Sequence, residues 1–355
     1  MNIQKVLIAD SLEQTLAEAV SECERDKVFV LTDENTEKLC LPLVADYPFL
    51  QDSNTIVIGA SDTNKNLDSL THVWEELGAG GATRHSLLIN IGGGMVTDLG
   101  GFAASTFKRG INYINIPTTL LAMVDASVGG KTGINFRGLK NEIGVFNNAA
   151  SVILHTPFLR TLDRENILSG YAEMLKHGLI SNSETWAELM NFDIEQPDFG
   201  QLQKMLADSV DVKQRIVTED PTEQGIRKAL NLGHTVGHAF ESFALSTIES
   251  NHSIPLLHGY FVAFGLISEL YLSCIKTGFP TDKMHQTVNF IKEHYGKMTI
   301  TCDDYPTLLE LMTHDKKNIA GIINFTLLAG IGEIRINQTA SKQDIYEALD
   351  FYREC

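Results

Sequence analysis

Over roughly the first 150 residues, short apolar runs alternate with amphipathic stretches. Val28-Phe-Val-Leu31, Thr55-Ile-Val-Ile-Gly59, Ser86-Leu-Leu-Ile-Asn-Ile91 and Ile111-Asn-Tyr-Ile-Asn-Ile116 are short and almost unbroken in apolar residues. Such runs predict strands buried on both faces. Between them, Thr36–Ala45, Leu67–Leu77 and Met95–Phe107 carry helical spacing, and Ser151-Val-Ile-Leu154 reads as the last strand of the series. Strand and helix alternating at this interval predict a parallel sheet covered by helices.

From Thr161 onward the pattern changes period. Arg164–Ile180, Glu184–Met190, Phe199–Val217, Arg227–Leu245, Gly259–Thr277 and Thr281–Glu293 all read as helices. A short strand pair, Ile322–Leu328 and Gly332–Ile336, follows near the end. The expected fold class is therefore α/β: an N-terminal Rossmann-like parallel-sheet domain, residues 1–157, and a mainly α-helical C-terminal domain, residues 158–355. At 355 residues two domains are what the length suggests, and the cleft between them is the expected place for an active site.

Charge narrows the partners. A net charge of −17 disfavours nucleic acid and anionic lipid, so an anionic metabolite would need a local cationic pocket. No stretch approaches the ~18 uncharged apolar residues of a membrane span, and Lys5 and Asp10 interrupt any signal-peptide core at the start. The cysteines (23, 40, 274, 302 and 355) are scattered and form no Cys-x-x-Cys pair, a pattern of reduced thiols that suits a cytoplasmic protein.

The segment Arg227–Glu241 concentrates the chemistry. His234 and His238 are four residues apart, as are Arg227 and Asn231, so at helical spacing each pair shares a face. Such a face suits a metal ion beside a polar, anionic ligand; two core histidines bonded to carbonyls are the plainer explanation. Gly92-Gly-Gly-Met-Val-Thr-Asp98 follows a strand and opens a helix, which offers backbone N–H groups to a phosphate. It lacks the Gly-x-Gly-x-x-Gly spacing. Gly-Gly-Lys131-Thr looks like a P-loop but lacks that motif's glycine spacing, so a nucleotide triphosphatase is rejected. What remains between Pro117 and Asn141 is a polar, glycine-rich loop with Asp125, Lys131, Lys140 and Asn141. Glu173, with Lys176 at i+3 and His177 at i+4, is either half of an ion pair or a hard metal ligand. His258 taken alone is more often a core residue. Together, a carboxylate and up to three imidazoles suffice for a catalytic Zn²⁺ with an open position.

These blocks resemble 3-dehydroquinate synthases over nearly the whole chain: Gly92–Gly110, Pro117–Phe146, Gly170–Ile180, Arg227–Glu241, Leu257–Gly259 and Asp315–Asn318. The resemblance implies an NAD-binding N-terminal domain, a helical domain holding Zn²⁺ or Co²⁺, and a cytoplasmic homodimer. It implies conversion of 3-deoxy-D-arabino-heptulosonate 7-phosphate to 3-dehydroquinate and phosphate in the shikimate pathway of aromatic amino acid biosynthesis. Oxidation by NAD⁺, phosphate elimination, reduction and an intramolecular aldol closure would follow one another, returning NAD⁺ each turnover. By motif, the metal ligands would be Glu173, His234 and His258. Substrate contacts would be Asp125, Lys131, Asn141, Lys176, Lys213, Arg227, Asn231 and one of Lys316 and Lys317. Arg109 would reach the substrate phosphate from a partner subunit. NAD contacts would include Asp33, Asn35, Asp62, Lys65, Gly93, Gly94, Asp98, Thr118, Thr119 and Lys140. Glu223 and His238 match the proton-transfer positions, with Lys131, Asn141 and Arg109 as further catalytic groups. Asp62 stands where the family usually has a glutamate, and the loop before His258 looks longer than usual. Another sugar-phosphate cyclase of the inosose or valiolone type, or a metal-dependent polyol dehydrogenase, are the competing readings.

Overall fold

The structure is a computed structural model that describes residues 4–137, 139–246, 257–313 and 322–355. Lys316, Lys317 and most of the loop before His258 lie outside the described residues. The chain divides into two compact units, Met1–Asp163 and Arg164–Cys355.

The first unit comprises β1 (Lys5–Ile8), α1 (Leu12–Glu22), β2 (Val28–Asp33), α2 (Glu34–Leu39), β3 (Asn54–Ile58), α3 (Leu67–Ala79), β4 (Leu87–Gly92), α4 (Gly94–Thr106), β5 (Asn112–Pro117), β6 (Lys131–Phe136), β7 (Leu139–Phe146) and β8 (Ser151–Leu154). Six strands form a parallel sheet in the order β1-β8-β5-β4-β2-β3. The apolar runs mark β2, β4 and β5 because those strands are central, with β4 buried at every position. From β2 the chain turns to β3, and from β4 it turns the other way to β5. Their carboxyl ends therefore flank a topological switch point, the usual ligand crevice of such sheets.

The sequence reading placed the region from Pro117 to Asn141 in a loop. It contains a one-turn π-helix at Ala122–Ala126 and then β6 and β7, which pair as an antiparallel hairpin. Every residue of β7 is exposed, so no alternation of apolar and polar residues marks it. The helix expected over Thr36–Ala45 stops at Leu39 and continues as a 3₁₀ turn at Leu41–Leu43, because Pro42 cannot continue the helix's hydrogen bonding.

The second unit comprises α5 (Arg164–Ser181), α6 (Ser183–Met190), α7 (Phe199–Glu219), α8 (His234–Ser246), α9 (His258–Thr277), α10 (Thr281–Tyr295), α11 (Tyr305–Thr313), β9 (Asn324–Gly330), β10 (Glu333–Thr339) and α12 (Lys342–Glu354). By length and composition α9 is apolar enough to cross a membrane, but it is the core of this unit, with Glu269 fully buried near its middle. The single helix expected over Arg227–Leu245 is two elements, a 3₁₀ segment at Ile226–Asn231 and α8. Gly233, at φ +80°, makes the break. All five cysteines are free thiols.

Candidate metal centre and cofactor edge

Glu173 is the hub of the second unit's polar core. It sits two turns from the end of α5 and is 0% exposed. His234 Nε2 is 3.3 Å and His258 Nε2 3.7 Å from its Oε1, while the Lys176 ammonium contacts its Oε2. The close approach of α5 and α9 creates this convergence. A Cβ on Gly259 would lie 1.9 Å from the Ser169 carbonyl oxygen, so only glycine lets His258, the residue before it, stand over Glu173.

Both outer nitrogens are held. The Nδ1 of His234 donates to the Leu232 carbonyl at 3.1 Å, and the Nδ1 of His258 faces Glu241 Oε2 at 3.3 Å. Both Nε2 atoms are thereby directed at one carboxylate, whose oxygens make no regular hydrogen bond. Ligand atoms about 2.1 Å from a tetrahedral ion are about 3.4 Å apart, close to the two separations here. A buried carboxylate, two oriented imidazoles and outer-shell partners on both rings therefore fit a divalent cation. Burial disfavours charge on His234, aided by Lys176 and His238, and takes its ring down to about 4. It is then the neutral ligand form. Burial also opposes charge on His258, but Glu241 and Glu173 outweigh it and raise that ring. Burial would raise Glu173 too, yet Lys176 and His234 hold it well below the usual carboxylate range. The locus is thus arranged to hold positive charge between carboxylates.

His238 follows His234 by one turn, with ring centroids 5.3 Å apart. One ring nitrogen from each of His234, His238 and His258 lies within 4.8 Å of the others. His177, which spacing alone left as a possible partner of Glu173, meets Ser209 Oγ through Nδ1 at 2.7 Å and also has a ring nitrogen within 4.8 Å of a Glu173 carboxylate oxygen.

The segment feeding α8 is organised by Asp220. Its carboxylate accepts from the backbone N–H groups of Gln224, Gly225 and Arg227 at 3.0, 2.7 and 3.1 Å. Glu223, at φ +61°, accepts from Asn231 Nδ2 at 2.9 Å, and Arg227 Nη1 donates to the Pro221 carbonyl at 2.7 Å. Lys176, Lys213 and Arg227 are at most 5% exposed, an unusual burial of cations in so acidic a chain. Sequence reasoning missed the supporting roles of Glu241, Asp220 and Glu269. Only Glu241 carried a signal, seven residues and so two turns beyond His234 on one helix face.

In the first unit the candidate cofactor residues collect at the carboxyl edge of the sheet. Asp33 ends β2 and caps α2, accepting from Asn35 and Thr36 N–H at 2.9 and 2.8 Å. Gly93 and Gly94 join β4 to α4, whose start has no side-chain cap. Its first-turn N–H groups suit a phosphate. Thr118 and Thr119 follow β5, and Thr118 N donates to the Gly92 carbonyl at 3.0 Å. The buried Lys65 ammonium lies 2.5 Å from Asp98 Oδ2 and also contacts Asn141 Oδ1. Asp62, shorter than the glutamate expected there, is met by Asn135 Nδ2 at 3.1 Å and by Lys140 Nζ at 3.5 Å. Asp125 lies in the π-helix, while Lys131 and Arg109 are exposed.

A doubly wound sheet unit followed by a mainly helical unit is the fold of solved sugar-phosphate cyclases. Two solved cyclases share the fold. A 2-epi-5-epi-valiolone synthase from Streptomyces hygroscopicus subsp. jinggangensis, with NAD⁺ and Zn²⁺ bound, superposes with a TM-score of 0.86 at 24% identity, covering 100% of this chain and 98% of that one. A 2-deoxy-scyllo-inosose synthase complexed with carbaglucose-6-phosphate, NAD⁺ and Co²⁺ gives 0.84 at 21% identity, covering 98% and 96%.

Within that architecture the chain belongs to the 3-dehydroquinate synthase family. The family's "3-dehydroquinate synthase N-terminal" and "3-dehydroquinate synthase C-terminal" models match residues 55–169 and 170–318. A 3-dehydroquinate synthase from Parabacteroides distasonis is 56% identical over 354 residues, covering 100% of this chain and 99% of that protein.

Proposed function

We propose that the chain is a phosphate-eliminating lyase that converts 3-deoxy-D-arabino-heptulosonate 7-phosphate to 3-dehydroquinate. The observation that carries this reading is the convergence of His234 and His258 on the buried Glu173, in a chain 56% identical end to end to a 3-dehydroquinate synthase. Glu173, His234 and His258 would hold Zn²⁺ or Co²⁺. Glu173 is favoured over His238 as the third ligand because the Nε2 atoms of His234 and His258 both face its buried Oε1. NAD would lie along the carboxyl edge of the sheet, against Asp33, Asn35, Asp62, Lys65, Gly93, Gly94, Asp98, Thr118, Thr119 and Lys140. When bound, NAD supplies a reversible hydride acceptor and the divalent cation lowers the pKa of the hydroxyl it meets.

The chain's own residues do the rest. Lys213, Arg227 and Asn231 orient the substrate's anionic groups, Arg227 with a fixed planar fork suited to carboxylate or phosphate. Lys176 keeps Glu173 ionised. His238 takes and returns protons beside the oxidised carbon. Glu223, steadied by Asn231, is the second proton carrier. Lys131, Asn141, Asp125 and one of Lys316 and Lys317 complete the substrate contacts. Arg109, exposed in its own subunit, would serve the substrate phosphate of a partner in a homodimer. The exposed Leu139, Ile143, Val145 and Phe146 of β7 support an association of that kind. On this reading residues 1–157 bind the cofactor and 158–355 the metal and substrate, in a cytoplasmic enzyme.

Substrate competition tests the assignment. The heptulosonate phosphate should exceed sedoheptulose 7-phosphate and glucose 6-phosphate in kcat/KM by at least about 10³, since a site built to hydrogen-bond a carboxylate rejects a substrate that lacks it. Comparable use of either sugar phosphate would reassign the chain to another cyclase activity.

A further inference from the structure

A helix start leaves backbone N–H groups that an N-cap side chain and the N3 side chain can satisfy reciprocally. The start of α8, which carries His234, can use neither. Gly233 occupies the N-cap position, its carbonyl accepting from Gly237 N at 3.1 Å. A Cβ there would lie 2.9 Å from Leu266 side-chain carbons and 3.0 Å from the Val262 carbonyl oxygen, so no capping side chain fits. Val236, at N3, is aliphatic.

Both donors are nevertheless met from another helix. Gly233 N–H donates to Glu269 Oε2 at 2.7 Å, and Val236 N–H donates to Glu269 Oε1 at 3.0 Å. Glu269 lies on α9, is 0% exposed, and stands one turn beyond Gly265. At Gly265 a Cβ would come within 2.0 Å of the Gly233 carbonyl oxygen, so the two backbones are close enough for a short carboxylate to span both donors.

We propose that Glu269 is a positioning residue for the metal centre. It fixes His234 by holding the backbone on both sides of it. Burying a carboxylate costs several kcal/mol unless it is paired and hydrogen-bonded. Here the compensation is two charge-assisted bonds at the positive end of a helix. The Leu232 carbonyl fixes the His234 ring to the same segment. That ring therefore turns from Glu173 only if residues 232–236 move, and Glu269 prevents the movement. An aliphatic residue at 269 would fill the space but leave two buried donors unpaired beside a ligand.

The inference rests on His234 being a ligand, and Zn²⁺ binding by His234→Ala tests that part alone. Wild-type affinity in that variant would sink the ligand reading whatever happens at Glu269. For Glu269 itself, chelator competition measures Zn²⁺ affinity in wild type, E269Q and S268A, the last an equally buried neighbour on α9. E269Q should bind Zn²⁺ about 10- to 100-fold more weakly, the usual effect of losing an outer-shell partner. It should also shift the visible absorption of the Co²⁺-loaded protein and leave NAD⁺ affinity unchanged, while S268A behaves as wild type. Wild-type Zn²⁺ affinity with an unchanged Co²⁺ spectrum in E269Q would overturn the proposal. So would an equal loss in S268A, which would mark general loosening of α9. Amide-resolved hydrogen exchange on the wild-type metal-free protein reads the same contact without a variant. The amides of Gly233 and Val236 should exchange as slowly as helix-interior amides, and exchange at the rate of uncapped helix ends would overturn it.

Discussion

The rings of His238 and His258 are 5.7 Å apart, yet they are expected to fail in different ways when removed. His258→Ala deletes an imidazole held between Glu173 and Glu241, so the protein should lose its zinc. His238→Ala should keep zinc and lose about 10²- to 10⁴-fold in turnover, the range for removal of a general acid–base group. Metal analysis beside turnover decides: zinc lost from the His238 variant and retained by the His258 variant would exchange the two roles. Cys40, 1% exposed at the end of α2, gives a pH signature of another kind. Burial pushes its thiol up to about 11, against hydrogen bonds to Thr161 and Thr118. A raised folded value means that the stabilising effect is complete below the ordinary thiol pKa and is lost as pH rises through about 11. At ~1.4 kcal/mol per unit, the loss across that window is on the order of 3 kcal/mol. The melting temperature should therefore fall more steeply between about pH 9 and 11 in wild type than in Cys40→Ala; parallel curves would refute this.

Among the elements, the break before α8 governs the centre. Gly233→Ala would place a Cβ 2.9 Å from Leu266 at a φ of +80°, so it should cost about 1–3 kcal/mol and weaken zinc binding together. Unchanged thermal stability in that variant would argue against the break. Asp220 binds the preceding segment through three backbone N–H groups, which outweigh burial and lower its carboxyl. A lowered folded value stabilises above the ordinary carboxylate pKa, and this is lost as pH falls through the folded value. Asp220→Asn should thus reduce kcat/KM about tenfold or more, through misplaced Glu223, Arg227 and Asn231, with zinc content unchanged. Undiminished kcat/KM would show that the segment holds without it.

These elements also show what a sequence can disclose. β2, β4 and β5 were legible because strands buried on both faces are continuous apolar runs. The β6–β7 hairpin was not, because β7 is exposed throughout and its apolar residues do not mark a buried face. His234 and His238 do share a helix face, as their spacing implied. Arg227 and Asn231 belong to a different element, since a glycine within helical spacing does not announce a positive φ. Glu269 was silent for another reason: its partners lie 33 and 36 residues upstream, and a lone acid in an apolar helix carries no mark of them.

At the scale of the whole molecule, a chain with a net charge of −17 buries Lys176, Lys213 and Arg227 of its second unit to at most 5% exposure. An exterior that repels anions combined with buried cations favours one committed anionic substrate over loose binding. The first unit adds a glycine-rich strand-to-helix turn at the carboxyl edge of a doubly wound sheet, the place for a dinucleotide. The two together suit a reaction in which NAD is reduced and reoxidised on the same substrate. The most direct measurement supplies the heptulosonate phosphate in large excess with substoichiometric NAD⁺ and Zn²⁺, and counts inorganic phosphate against NADH. Many phosphates should be released per NAD, with no net NADH. One NADH formed per substrate consumed, without phosphate, would contradict that expectation.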